Sequence, residues 1–89
     1  MSFPGPVRTF VEMGGLISDT KLDILRHLHS EPLHGYALAA ELGLSHGYIY
    51  THLGELEEAG MIEVAEERDG KKIYRLTENG QHLVKAFEE

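Results

Sequence analysis

Only three residues, Gly43-Leu44-Ser45, separate two stretches of helical periodicity, and that brevity limits what this chain can fold into. Upstream, Leu38, Ala39 and Leu42 recur at i, i+1 and i+4 over 35–42, one face of a short helix. Downstream, Ile49, Leu53 and Leu56 mark the buried side of a helix over about 46–59, which Gly60 ends. Gly43 suits the left-handed stop of the first helix, Leu44 gives the turn an apolar plug, and Ser45 is placed to cap the second. Two helices joined by a tight Gly-containing turn make a helix-turn-helix.

The flanks complete a domain around this pair. After Ser18 or Asp19 as cap, Leu22, Leu25 and Leu28 follow one side of an earlier helix, and Ile24 broadens its apolar face. This helix should stop near Ser30, because Pro32 disfavours helical geometry at Glu31. Beyond Gly60, Met61, Ile62 and Val64 shift the period toward two with Glu63 facing outward, as in a half-buried strand. Asp69-Gly70 is a strong hairpin signal, since both central residues of a type I′ turn need positive φ. A return strand over Lys71–Leu76 follows, and Thr77 can cap a last helix carrying Leu83, Val84 and Phe87. The predicted fold is α+β and mostly helical: a winged helix-turn-helix with a three-helix core, a two-stranded β-hairpin wing and a short C-terminal helix. Residues 1–18 read as an N-terminal extension, partly disordered or dimer-contacting. Residues 19–80 form the domain, and 81–89 the remainder of the last helix.

Charge is distributed unevenly. The net charge is −7, yet four of the eight Lys and Arg residues fall between Arg68 and Arg75. A basic ribbon on an acidic body points to a local anion-binding site, because the field near the surface matters more than the total. Arg68, Lys71, Lys72 and Arg75 are the candidate phosphate contacts of the wing. A dimer should then neutralise about six phosphates, with log affinity falling against log salt at a slope near −5.

In a helix-turn-helix that binds DNA, the second helix enters the major groove by its N-terminal part. Here Ser45, His46, Gly47, Tyr48, Tyr50, Thr51 and His52 are the candidate contacts, with Ser45 and the first free amides suited to a phosphate. His46 and His52 are the ionisable nitrogens expected on this face. Binding should therefore strengthen as pH falls, with His52 carrying more of the change because the helix N-terminus opposes protonation of His46. The same fold can also serve as a protein–protein interaction module, for which an acidic surface is no handicap.

Leu33-His34-Gly35-Tyr36-Ala37-Leu38-Ala39, Ser45-His46-Gly47-Tyr48-Ile49-Tyr50, Leu56-Glu57-Glu58-Ala59-Gly60-Met61-Ile62 and Tyr74-Arg75-Leu76-Thr77-Glu78-Asn79-Gly80 together resemble the PadR family of transcriptional regulators. The resemblance covers roughly 22–80. It implies a homodimeric repressor that binds a palindromic operator, with Tyr50 at the family's characteristic tyrosine near the DNA backbone. It also implies a small aromatic effector, which Tyr36, Tyr48, Tyr50 and Tyr74 could line, although core packing is the expected place of Tyr36 and Tyr74. The chain departs from the family in having His46 and Thr51 where proline is frequent, and in having no Lys or Arg between Arg26 and Arg68. The family's long C-terminal dimerisation helices are not expected here, since the last predicted helix is short. Dimerisation is therefore expected from Leu83, Val84 and Phe87, which have little left in the domain to cover them, and from Val7, Phe10, Val11 and Met13.

Other classes fit less well. With no cysteine there is no thiolate zinc site and no disulfide scaffold, which agrees with a reducing, cytoplasmic setting. No apolar run approaches the length of a membrane span, and no signal-peptide pattern opens the chain. Among the six histidines, His27 and His29 diverge on a helix and His46 and His52 lie six apart, so no metal site is expected. Without a phosphate-cradling glycine loop or a Ser/His/Asp set, neither an enzyme nor a cofactor is expected.

Overall fold

The computed structural model describes residues 18–88. In chain order these form α1 (Asp19–Ser30), β1 (Leu33–His34), α2 (Gly35–Leu42), α3 (His46–Glu58), β2 (Ile62–Arg68), β3 (Lys71–Leu76) and α4 (Glu78–Glu88). The expectations for Val7, Phe10, Val11 and Met13, and for the extension that holds them, lie outside the described residues.

Each helix starts where a side chain can take up an orphan amide. Ser18 Oγ accepts from Lys21 N at 3.2 Å and Ser45 Oγ from Tyr48 N at 3.2 Å. His34 does the same for α2, its Nδ1 accepting from Ala37 N at 3.1 Å. Gly43 closes α2 in the left-handed region at φ 68°, as the sequence suggested.

The sheet has three antiparallel strands in the order β1-β3-β2, one more than the sequence indicated. β1 is only two residues long, pairing Leu33 with Tyr74 and His34 with Ile73. So short a strand leaves no periodic trace. At the hairpin tip Asp69 and Gly70 both have positive φ, 55° and 75°, as a type I′ turn requires. Along β2–β3 the register shifts between Val64, opposite Tyr74, and Glu66, opposite Ile73, so Ala65 is the extra residue of a β-bulge.

The core joins Ile24, Leu25 and Leu28 of α1, Leu38 and Ala39 of α2, Ile49, Leu53 and Leu56 of α3, Ile62 of β2, Tyr74 and Leu76 of β3, and Val84 of α4. Two expectations change here. Val84 is fully buried inside its own domain, so it is not free for an intersubunit face; Leu83 packs at the core's edge. In α1 the deep positions are Ile24 and Leu25, and Leu22 is only half-buried.

The base of the wing is tied by one hydroxyl. Thr77 Oγ1 donates to the Gly60 carbonyl at 2.6 Å and accepts from Gly80 N at 3.1 Å, while Thr77 N donates to the Met61 carbonyl at 3.0 Å. Gly80 lies so close to that carbonyl that a methyl group there would overlap it.

Burial, with the Glu57 carboxylate and the Tyr50 phenol nearby, pushes the Tyr74 phenol above its ordinary value of 10.0. The folded chain thus holds a proton that the unfolded chain releases. This contribution to stability is complete below about pH 10 and is lost as pH rises through the folded value. Denaturant midpoints should be level up to that pH and decline above it, and Tyr74→Phe should decline less steeply. A decline of equal steepness in both would assign the effect to other groups.

Candidate nucleic-acid interface

The first turn of α3 stands open. Ser45, His46, Gly47, Tyr48, Tyr50 and Thr51 are all exposed, while Ile49 and Leu53 anchor the opposite side of the helix in the core. Ser45 Oγ is engaged by Tyr48 N, which leaves the amides before it directed outward at the positive end of the helix dipole. Thr51 donates its hydroxyl proton to the Gly47 carbonyl at 3.0 Å, so toward a base edge it can act as an acceptor.

His52 is not on this face. It is only 9% exposed, both ring nitrogens are enclosed without a hydrogen-bond partner, and Tyr48 meets its ring edge-on at 4.6 Å. It lies between Ile49 and Leu56 on the buried stripe, so the proton-dependent contact expected of it has no route to a groove. Glu55, next along the helix, is 2.5 Å from Lys21 of α1, whose hydrogen bond and charge hold its carboxyl below the usual carboxylate range. Lys21 carries no sequence signal for this role, because the two residues are remote in the chain.

The wing carries Arg68, Lys71, Lys72 and Arg75, all exposed, but they are not equivalent. Arg68 pairs with Glu66 at 2.7 Å and Arg75 with Glu63 at 2.8 Å. Lys71 lies with its ammonium 5.3 Å from the centre of the Tyr36 ring. Tyr36, expected in the core, is instead on the surface, and it stacks on His46 with ring centres 4.1 Å apart and 11° between planes. One surface thus runs from the start of α3 across Tyr36 to the wing.

The His34-Gly35-Tyr36 sequence now has a physical reading. His34 caps α2, and Gly35 is buried beneath Tyr50, whose Cζ would lie 2.5 Å from any added methyl carbon. The Tyr50 phenol is pushed up by burial and by the neighbouring Tyr36 phenol, so at neutral pH it remains a hydrogen-bond donor. Tyr36, Tyr50 and Tyr74 line a groove of about 280 Å³ with Gly70, Lys71 and Lys72; Tyr48 is elsewhere, against His52. Among the described residues no cluster of His, Asp and Glu could hold a metal ion, and no helix is long and apolar enough to cross a membrane.

A helix-turn-helix followed by a hairpin whose basic tip adjoins the second helix defines a winged-helix protein. The chain belongs to the transcriptional regulator PadR-like family, whose model matches residues 24–86. It is 39% identical over 87 residues to an HTH-type transcriptional regulator of Methanocaldococcus jannaschii, covering 88% of this chain and 92% of that one. The family and this relative are transcriptional regulators, not enzymes. The fold is shared with the adhesin competence repressor of Streptococcus pyogenes (TM-score 0.76, 16% identity, 94% of this chain and 66% of that one). It is shared too with the transcriptional regulator HlyU of Vibrio vulnificus (TM-score 0.74, 24% identity, 94% and 88%).

Proposed function

We propose that the protein is a sequence-specific double-stranded DNA-binding regulator acting as a homodimeric repressor on a palindromic operator in the cytoplasm. The N-terminal part of α3 reads the major groove, and the wing follows the backbone. The observation that carries this reading is the continuous surface from His46 through Tyr36 to Lys71. In this reading His46 and Thr51 meet base edges, Gly47 lets the backbone come close, and Ser45, Tyr48, Tyr50, Lys71 and Lys72 contact phosphates. Two-fold symmetry would present two such surfaces to two half-sites about one helical turn apart. The dimer contact falls to Leu83 and Phe87 of α4 together with Phe10 and Val11.

Purified protein should retain discrete genomic fragments at both low and moderate salt, and the enriched sequences should share a palindrome. Sedimentation should give twice the chain mass at micromolar concentration. Retention that is absent at low salt, or equal for all fragments, would reject sequence-specific binding. A strict monomer on and off DNA would reject the dimer. The net charge of −7 supports a second reading, a winged helix that binds protein, which loss of all DNA retention would favour.

A further inference from the structure

Tyr36 has no assigned part in reading DNA, yet it joins the two halves of the surface. It is the second residue of α2 and is 45% exposed, although it is large enough to contribute substantially to a core. Its ring is instead flanked by side chains from two other elements: His46 of α3 stacked at 4.1 Å and Tyr50 of α3 edge-on at 6.2 Å with 77° between planes, and Lys71 of β3 5.3 Å from its centre. Tyr50 in turn rests on Gly35, so the platform is built on the backbone at the start of α2.

A lysine at the first position of β3, beside a hairpin turn, would otherwise sample many rotamers in water. The negative face of an aromatic ring attracts its ammonium and narrows that ensemble before any ligand arrives. Arg68 and Arg75 pair with Glu66 and Glu63 along the hairpin, and Lys71 and Lys72 both border the groove with Tyr36 and Tyr50; the ammonium over the Tyr36 ring is that of Lys71.

We infer that Tyr36 is a positioning residue whose ring holds Lys71 of the wing beside the N-terminal turn of α3, so that both meet the same stretch of DNA backbone. Its consequence for affinity rests on the DNA reading above; its geometry does not. The ring face performs the task, and the phenol hydroxyl is dispensable.

The test compares Tyr36→Leu, Tyr36→Phe, Lys71→Ala and the Tyr36→Leu/Lys71→Ala double variant on one retained DNA fragment over a salt series. Tyr36→Leu should reduce the slope of log affinity against log salt by about 0.9 per protomer, the value of one phosphate contact, as Lys71→Ala does. The double variant should lose no more than either, and Tyr36→Phe should keep the parental slope. In the free protein, the ε-methylene protons of Lys71 should be shifted upfield by the ring in the parent and Tyr36→Phe, and not in Tyr36→Leu. An unchanged slope in Tyr36→Leu alongside a reduced one in Lys71→Ala would overturn the inference. So would additive losses, or Lys71 protons indifferent to Tyr36→Leu. If the parent retains no DNA, the DNA reading fails, while the proton shifts still decide whether Tyr36 places Lys71.

Discussion

Replacing Gly80 by alanine is expected to destabilise the domain by about 3 kcal/mol and lower its melting temperature by roughly 10–20 °C. Helix propensity alone points the other way, since alanine is better than glycine within a helix by up to about 1 kcal/mol. The sign is set by what the methyl group would meet. It is the Met61 carbonyl, a backbone atom already fixed by its hydrogen bond from Thr77 N, so it cannot swing aside as a flexible side chain would. Relief would require moving α4 away from the β2 base, which would also loosen the Thr77 hydroxyl from Gly60 and uncover Val84. Thermal unfolding followed by circular dichroism checks this. A melting temperature equal to or above the parent's would mean that the helix shifts at little cost and that the close approach is not important.

The second large effect concerns binding. With Arg68 and Arg75 held by Glu66 and Glu63, the wing offers Lys71 and Lys72, so a dimer should neutralise about four phosphates with a slope near −4, not the −5 expected from the sequence. Parental affinity should then fall about 100-fold between 50 and 200 mM salt. The Lys71→Ala/Lys72→Ala variant should bind weakly and show almost no salt dependence. Glu63→Gln with Glu66→Gln should do the reverse, releasing both arginines and steepening the slope. Fluorescence anisotropy on one operator fragment measures all three; a parental slope in the double-lysine variant would remove the wing from the interface.

The parts of this fold that were legible in the sequence are those written in local chemistry. Ser18, Gly43, Ser45 and Asp69-Gly70 each announce a backbone conformation by residue type, and the helices and the hairpin follow from them. What escaped depends on contacts between distant segments. His52 reads from the sequence as part of the face opposite Ile49, Leu53 and Leu56, although it sits three residues after Ile49 and four before Leu56, where helix geometry points inward. Val84 lacks visible cover in the sequence because the packing of α4 against α1 cannot be read from either helix alone. Tyr36 reads from the sequence as a core residue, whereas its neighbours His46 and Lys71 lie ten and thirty-five positions away. The wing's basic composition was legible; that half of its cations are already paired was not.

The bulge at Ala65 bears on how copies of this protein can meet. β2 is an edge strand, and an edge with free amides and carbonyls is a template on which another chain can add a strand. Past Ala65 the ladder is out of step by one residue, and the strand ends in Glu66, Glu67 and Arg68, all exposed. An incoming strand that matched one half of β2 would be misregistered on the other and would bring charges together across the new pair. Sheet extension is thereby discouraged, and the dimer proposed above would form through helical surfaces, where it can close on a two-fold axis without growing into a fibre.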